Sequence, residues 1–268
     1  GDTTLSGAIS GTGGLAKTGT GTLELGGNTA NTYTGLTSVS GGTLNLNKTG
    51  VSAIAGDLSV SGTGTVTLLQ SDQIADTSTV TVSASDATLN MGANNDTVGV
   101  FNMSAGELAG TGTLTATTYG LSGGTVTANL GAGTMNVTGS TALNGTSAAT
   151  AVNVSAGTLT LGDNERLANG ATVTISNTGV LDVGAFDETV GVFNMSAGSL
   201  NGTGTLTAAT YGLTGGTVTA MLGAGAVTVD TGIVTLGSAG RLNMASDVTV
   251  QGGELVLGGA ESVNSLTL

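Results

Sequence analysis

The sequence predicts an all-β fold, a right-handed parallel β-helix (β-solenoid) with essentially no helix, and three observations predict it. Apolar residues recur two apart in short words flanked by Thr or Ser, which is the period of a strand. Glycine and asparagine pairs punctuate these words. A long internal repeat shows that the words come in a fixed order.

The words run along the chain as Leu23/Leu25, Leu44/Leu46, Val66/Leu68, Val80/Val82, Leu89/Met91, Val126, Met135/Val137, Val152/Val154, Leu159/Leu161, Val173/Ile175 and Leu181/Val183. Each fits one strand with its apolar pair facing inward and its Thr or Ser facing water, as β propensity favours. Gly-Gly, Asn-Gly, Ser-Gly and Gly-Thr-Gly stand between them, where residues that accept positive φ at low cost make turns. No stretch carries apolar residues at helical spacing, and no apolar run approaches the roughly 18 residues of a membrane-spanning helix.

Composition narrows the class. The chain of 268 residues has 49 Gly, 2% aromatic residues, and no Pro, Cys, His or Trp. A core without large aromatics is thin and needs a regular frame, and absence of proline leaves every backbone donor available to a ladder. The charged fraction is only 8%, so this is not a chain held open by charge repulsion. Four basic residues, Lys17, Lys48, Arg166 and Arg241, against 17 acids give a net charge of −13, which excludes nucleic acid as an expected partner.

Residues 96 to 133 and 188 to 225 differ at six of 38 positions without a gap. The preceding stretches, from Gly64, Gly157 and Gly232, match one another as well. These set the expected organisation: one solenoid over 1–268, with repeat unit 1 at 64–156, a shorter unit 2 at 157–231 and a partial unit 3 at 232–268. An offset of 92 residues exceeds one solenoid coil, so each repeat should hold four or five coils of roughly 18 to 23 residues. The sequence around both ends reads as repeat, so the chain is expected to belong to a longer array and to associate end to end or laterally.

Residues 13 to 46 carry a second pattern: Lys17, Gly19, Gly21, Leu23, Leu25, then Asn31, Thr32, Tyr33 and Gly35, then Gly41, Gly42, Thr43 and Leu44. This resembles the autotransporter-associated β-strand repeat, departing from it at Asn28 to Ala30. The resemblance implies a secreted, surface-exposed bacterial β-helix, often an adhesin stalk or matrix fibre, without catalytic residues. Extracellular location and surface glycans as partners are expectations from the same source.

No histidine or cysteine exists for catalysis. Asp163 with Glu165, or Asp187 with Glu188, are the conceivable carboxylate pairs for polysaccharide hydrolysis, but the acids are thinly spread and no enzyme is expected. A carbohydrate-binding or carbohydrate-cleaving β-helix is the alternative function. No cofactor is expected. One acid recurs in register as Asp96, Glu188 and Glu261, a position for a calcium ligand, a lateral contact between rods or a solvated turn residue. Calcium takes about six oxygens, and one acid per repeat falls short of that.

Arg166 and Arg241 share a repeat position with Gln73, which points to a surface hydrogen bond rather than a required cation. Tyr119 and Tyr211 fit either sugar-stacking platforms or packing against the adjacent coil, with packing favoured. Phe101 and Phe193 read as core, and Asn102 and Asn194 as possible members of ladders between coils. Thr-x-Thr words such as Thr65/Thr67 and Thr172/Thr174 would bind ice only if they fell on one face in every coil.

Overall fold

The computed structural model describes residues 1–268. All its regular elements are strands, and the strands pair in parallel, with a register shift between Val39 and Gly41. Paired residues lie as few as 16 positions apart, Tyr211 on Val227, and as many as 23, Val66 on Leu89. Each coil thus lays its strands on those of the coil before, and the chain is a β-solenoid. It forms two compact units, Gly1–Gly133 and Thr134–Leu268.

In the first unit one inward ladder runs Leu44, Val66, Leu89, Leu108, Val126 and another runs Leu58, Val80, Phe101, Tyr119. In the second unit the ladders run Val152, Val173, Phe193, Tyr211, Val227, Val248 and Leu159, Leu181, Leu200. All these residues are buried. Aliphatic side chains stack on aliphatic ones at strand spacing, with one Phe–Tyr step in each unit at Phe101–Tyr119 and Phe193–Tyr211. The period-two reading of the sequence holds at the ladder positions it named, Leu44, Val66, Val80, Leu89, Val126, Val152, Leu159, Val173 and Leu181.

Some strands turn a corner instead of ending. The strand Asp96–Met103 and its repeat Glu188–Met195 bury Asp96, Val98, Phe101 and Met103, and Glu188, Val190, Phe193 and Met195, respectively. The inward phase therefore slips by one residue at Gly99 and at Gly191. At the slip two successive amides share one carbonyl of the previous coil: Gly99 and Val100 donate to Ser78, Gly191 and Val192 to Ala171. A side chain at Gly99 or Gly191 would meet the previous coil's backbone at 3.0 and 2.9 Å, so glycine lets the two coils approach closely at the bend.

Candidate functional site

The recurring acid is an internal clasp. Asp96 and Glu188 are 2% and 1% exposed, because each stands two residues before an inward valine and shares its face. Asp96 Oδ2 accepts from the backbone amides of Gln73 (2.8 Å) and Ile74 (3.1 Å). Glu188 accepts from Arg166 (2.7 Å) and Leu167 (3.1 Å), and Glu261 from Arg241 (3.0 Å) and Leu242 (2.9 Å). The same turn of the preceding coil is held three times. A water-facing turn residue is thus not what Asp96 and Glu188 are, and burial removes both from any lateral surface. Asp96 Oδ2 and both Glu188 oxygens are committed to amides, and no three acidic side chains gather where a metal ion would sit.

Burial dominates the charge state of two of these acids. It pushes the Asp96 carboxyl up to about 7, against the lowering pull of the Gln73 and Ile74 amides, with the negative charge of Asp72 adding to the rise. Glu188 is likewise raised by burial to about 7, with its two amides and Arg166 pulling down and Glu165 pushing up. Asp96 Oδ1 is buried without a partner, so only one oxygen of that carboxyl is compensated.

The position clasped by each acid explains why two arginines and a glutamine are interchangeable. Arg166 donates from Nε to Asn164 O (3.0 Å) and from Nη1 to Asn144 O (2.8 Å). Arg241 makes the matching pair to Ala239 O (3.3 Å) and Thr219 O (2.6 Å). Gln73 Nε2 reaches Ser71 O (3.0 Å) and Lys48 O (2.9 Å), the carbonyl two residues back and one in the previous coil. What the position requires is two N–H donors, which an amide supplies as well as a guanidinium. The residue before it adopts positive φ in all three copies, at Asp72, Glu165 and Gly240.

Tyr119 and Tyr211 are buried, not sugar platforms. Each hydroxyl accepts from one amide and has two carbonyls within reach of its single proton: Ala116 N (2.9 Å) with Leu114 O and Gly131 O (both 3.0 Å), and Ala208 N (2.8 Å) with Leu206 O (2.8 Å) and Gly223 O (3.1 Å). Phe193 stands edge-on to Tyr211 with ring centroids 6.3 Å apart.

Of the paired carboxylates, Glu188 turns inward while Asp163, Glu165 and Asp187 face out. Asp187 Oδ1 accepts from Thr205 N (2.9 Å) and Glu165 Oε1 from Thr189 Oγ1 (2.9 Å), so both tie adjacent coils. An asparagine ladder forms at Asn136 and Asn153 (2.9 Å). Asn102 and Asn194 instead reach toward Gly120 and Gly212 of the next coil. The threonine words scatter: Thr22, Thr43, Thr65 and Thr88 share a ladder that meets Glu107, and beside it stand Glu24, Asn45, Thr67, Asn90 and Ala109. A two-column threonine array is not formed.

Two lysines named in the sequence, Lys17 and Lys48, take structural roles that the sequence reading did not assign. Lys17 donates from Nζ to Thr18 O, Gly19 O and Gly41 O at 2.9 to 3.0 Å. Lys48, fully buried, donates to Gly26 O (2.8 Å) and Gly7 O (3.2 Å), and desolvation lowers its pKa. The signal was present for Lys48, which continues the alternation of Leu44 and Leu46. Asn31 joins three coils, accepting from Ile9 N (2.9 Å) and donating to Ala53 O (2.8 Å).

Part of the first unit, including Lys17 and Asn31, falls within a recognisable repeat. Residues 15–46 match the family model of the passenger-associated-transport-repeat, a repeat of autotransporter passenger domains. No curated protein and no solved structure matches the chain. No helix is long and apolar enough to cross a membrane. The repeat and the solenoid together fit an autotransporter passenger-like surface protein, and passenger domains are secreted or surface-exposed.

Proposed function

We propose that the chain is an extracellular stalk or fibre-forming segment at a bacterial surface, a rod that spaces or tethers and catalyses no reaction. The observation that carries the reading is the mutual tying of successive coils. Parallel ladders, the Asp96, Glu188 and Glu261 clasps and the Tyr119 and Tyr211 hydroxyls all join one coil to its neighbours. Load applied to one coil is therefore shared by the next, which is what a mechanical element requires. The passenger repeat at 15–46 supports the surface location.

Self-association is part of the proposal. Ile233 and Met244 are exposed at 57% and 76%, apolar surface that a second rod would cover. Electron microscopy of the native material tests the stalk directly, with thin rods standing off the cell surface as the expected image and an intracellular protein as the contrary one. Light scattering over a wide concentration range should show growth in particle size. A strictly monomeric species throughout would remove the fibre-forming part and leave the stalk.

A further inference from the structure

The outward column Thr174, Asn194, Gly212, Thr228 crosses four successive coils of the second unit in register. Gly212 has no side chain to continue the column, so the Asn194 side-chain amide leans over it and a shallow notch is left toward Thr228. Beyond each strand the chain adds one more polar group, Ser196, Thr214 and Asp230, and these wall the other side. The result is an open groove of about 270 Å³. None of the side chains of these six residues and Thr174 that could bond does so within the protein, so their donors and acceptors stay available.

We propose that this groove binds a neutral, hydroxyl-rich oligosaccharide laid along the column. The lining holds a planar amide, hydroxyls that both donate and accept, one carboxylate that only accepts, and the apolar residues Met195 and Leu213, whose own side chains are buried. Sugar hydroxyls on adjacent carbons present donors and acceptors in the same mixture. The groove contains no cation and one acid, so phosphate, sulfate and uronate ligands find no counter-charge and meet repulsion at Asp230. Because each coil repeats its polar groups at about 4.8 Å, an extended saccharide meets a similar contact in successive coils. The groove lacks an aromatic platform, the second unit's Tyr211 being buried, so one ring binds weakly and affinity grows with the number of rings and rods engaged. The first unit carries a related column in Thr81, Asn102 and Gly120, with Ser104 and Ser122 beyond the strands.

The proposal rests on the reading of an exposed surface rod, yet fails separately from it. The ¹⁵N-labelled 268-residue chain is titrated with chitohexaose and cellohexaose, and with hexagalacturonate as an anionic control. Shifts confined to the Asn194 side-chain amide and the backbone amides of Gly212, Thr214 and Asp230 are expected for at least one neutral probe, with a dissociation constant on the order of 1 mM. Gly212→Thr fills the notch with the residue used elsewhere in the column. An added Cβ there meets the flexible Asn194 Oδ1 at 2.6 Å and nothing else within 4 Å except that group's own carbon, so the variant should fold. It and Asp230→Ala, an exposed change, should each weaken binding about tenfold. No response to either neutral probe, shifts spread away from the groove, or unchanged binding in both variants would overturn the proposal. Rods seen by microscopy alongside such a result would leave the surface-stalk reading standing.

Discussion

Tyr211 concentrates three hydrogen bonds on one buried hydroxyl, and burial pushes its pKa up to about 12. Tyr211→Phe keeps the ring and strands the Ala208 amide, while Leu206 O keeps the Gly223 amide as a partner, which should cost about 1–3 kcal/mol, read as a lower denaturation midpoint. An unchanged midpoint would mean that water replaces the hydroxyl. The clasp acids give a pH prediction. In the folded chain Asp96 and Glu188 hold their protons up to about pH 7, whereas unfolded carboxyls release theirs near pH 4. Between these limits the folded state binds more protons, so stability falls as pH rises. Melting should therefore be higher at pH 5 than at pH 8, and the combined Asp96→Asn and Glu188→Gln variant should flatten that dependence. Relief of the chain's net negative charge acts in the same direction, so an undiminished slope in the variant would assign the effect to that charge. The acid's recurrence was legible in the sequence, but its burial was not. Period two places Asp96 with Val98, yet a lone carboxylate on an apolar face reads as solvated until the amides that receive it are seen, and those come from a turn 22 to 23 residues earlier.

At the scale of the strand, alternation within one word was readable and the corner between two words was not. Val98 and Val100 look like one face; the slip at Gly99 turns Val100 outward and Phe101 inward. Steric contact with a neighbouring coil decides this, and a single strand's sequence does not contain it. Val173→Asp should place an uncompensated charge in the stack and cost on the order of 3–5 kcal/mol, whereas Thr174→Asp, on the outward side, should stay within about 0.5 kcal/mol. Equal effects on thermal melting would mean that the two faces are wrongly assigned. Glycines differ in the same way. A Cβ at Gly225 would lie 2.1 Å from Ala208 O and 2.9 Å from the Tyr211 ring, while one at Gly170 meets nothing within 4 Å. Gly225→Ala is expected to lower the melting temperature clearly and Gly170→Ala to leave it nearly unchanged.

For the molecule as a whole, the 92-residue repetition is a repetition of construction. The near-identical octets at 96 and 188 hold a clasp acid, an inward valine, a glycine bend and two more inward side chains, each with a structural role. The solenoid was legible because stacking forces every coil to solve the same packing problem, so its solution recurs in the sequence. The saccharide groove was not legible, since Gly212 is one glycine among 49 and becomes a notch only when Asn194 and Thr228 are set on either side of it. The central claim is the parallel, coil-on-coil register, and the absence of cysteine makes it directly testable by disulfide cross-linking. Thr174 is paired with Asn194 on one side and Asn153 on the other, while Thr160 belongs to a different ladder, opposite Asp182. Under mild oxidation the Thr174→Cys/Asn194→Cys and Thr174→Cys/Asn153→Cys variants should each form an intramolecular disulfide, since register neighbours fall within the roughly 4.4–6.8 Å Cα range a disulfide spans, and Thr174→Cys/Thr160→Cys should not. Cross-linking of the Thr160 pair with failure of the other two would contradict the register and with it the solenoid.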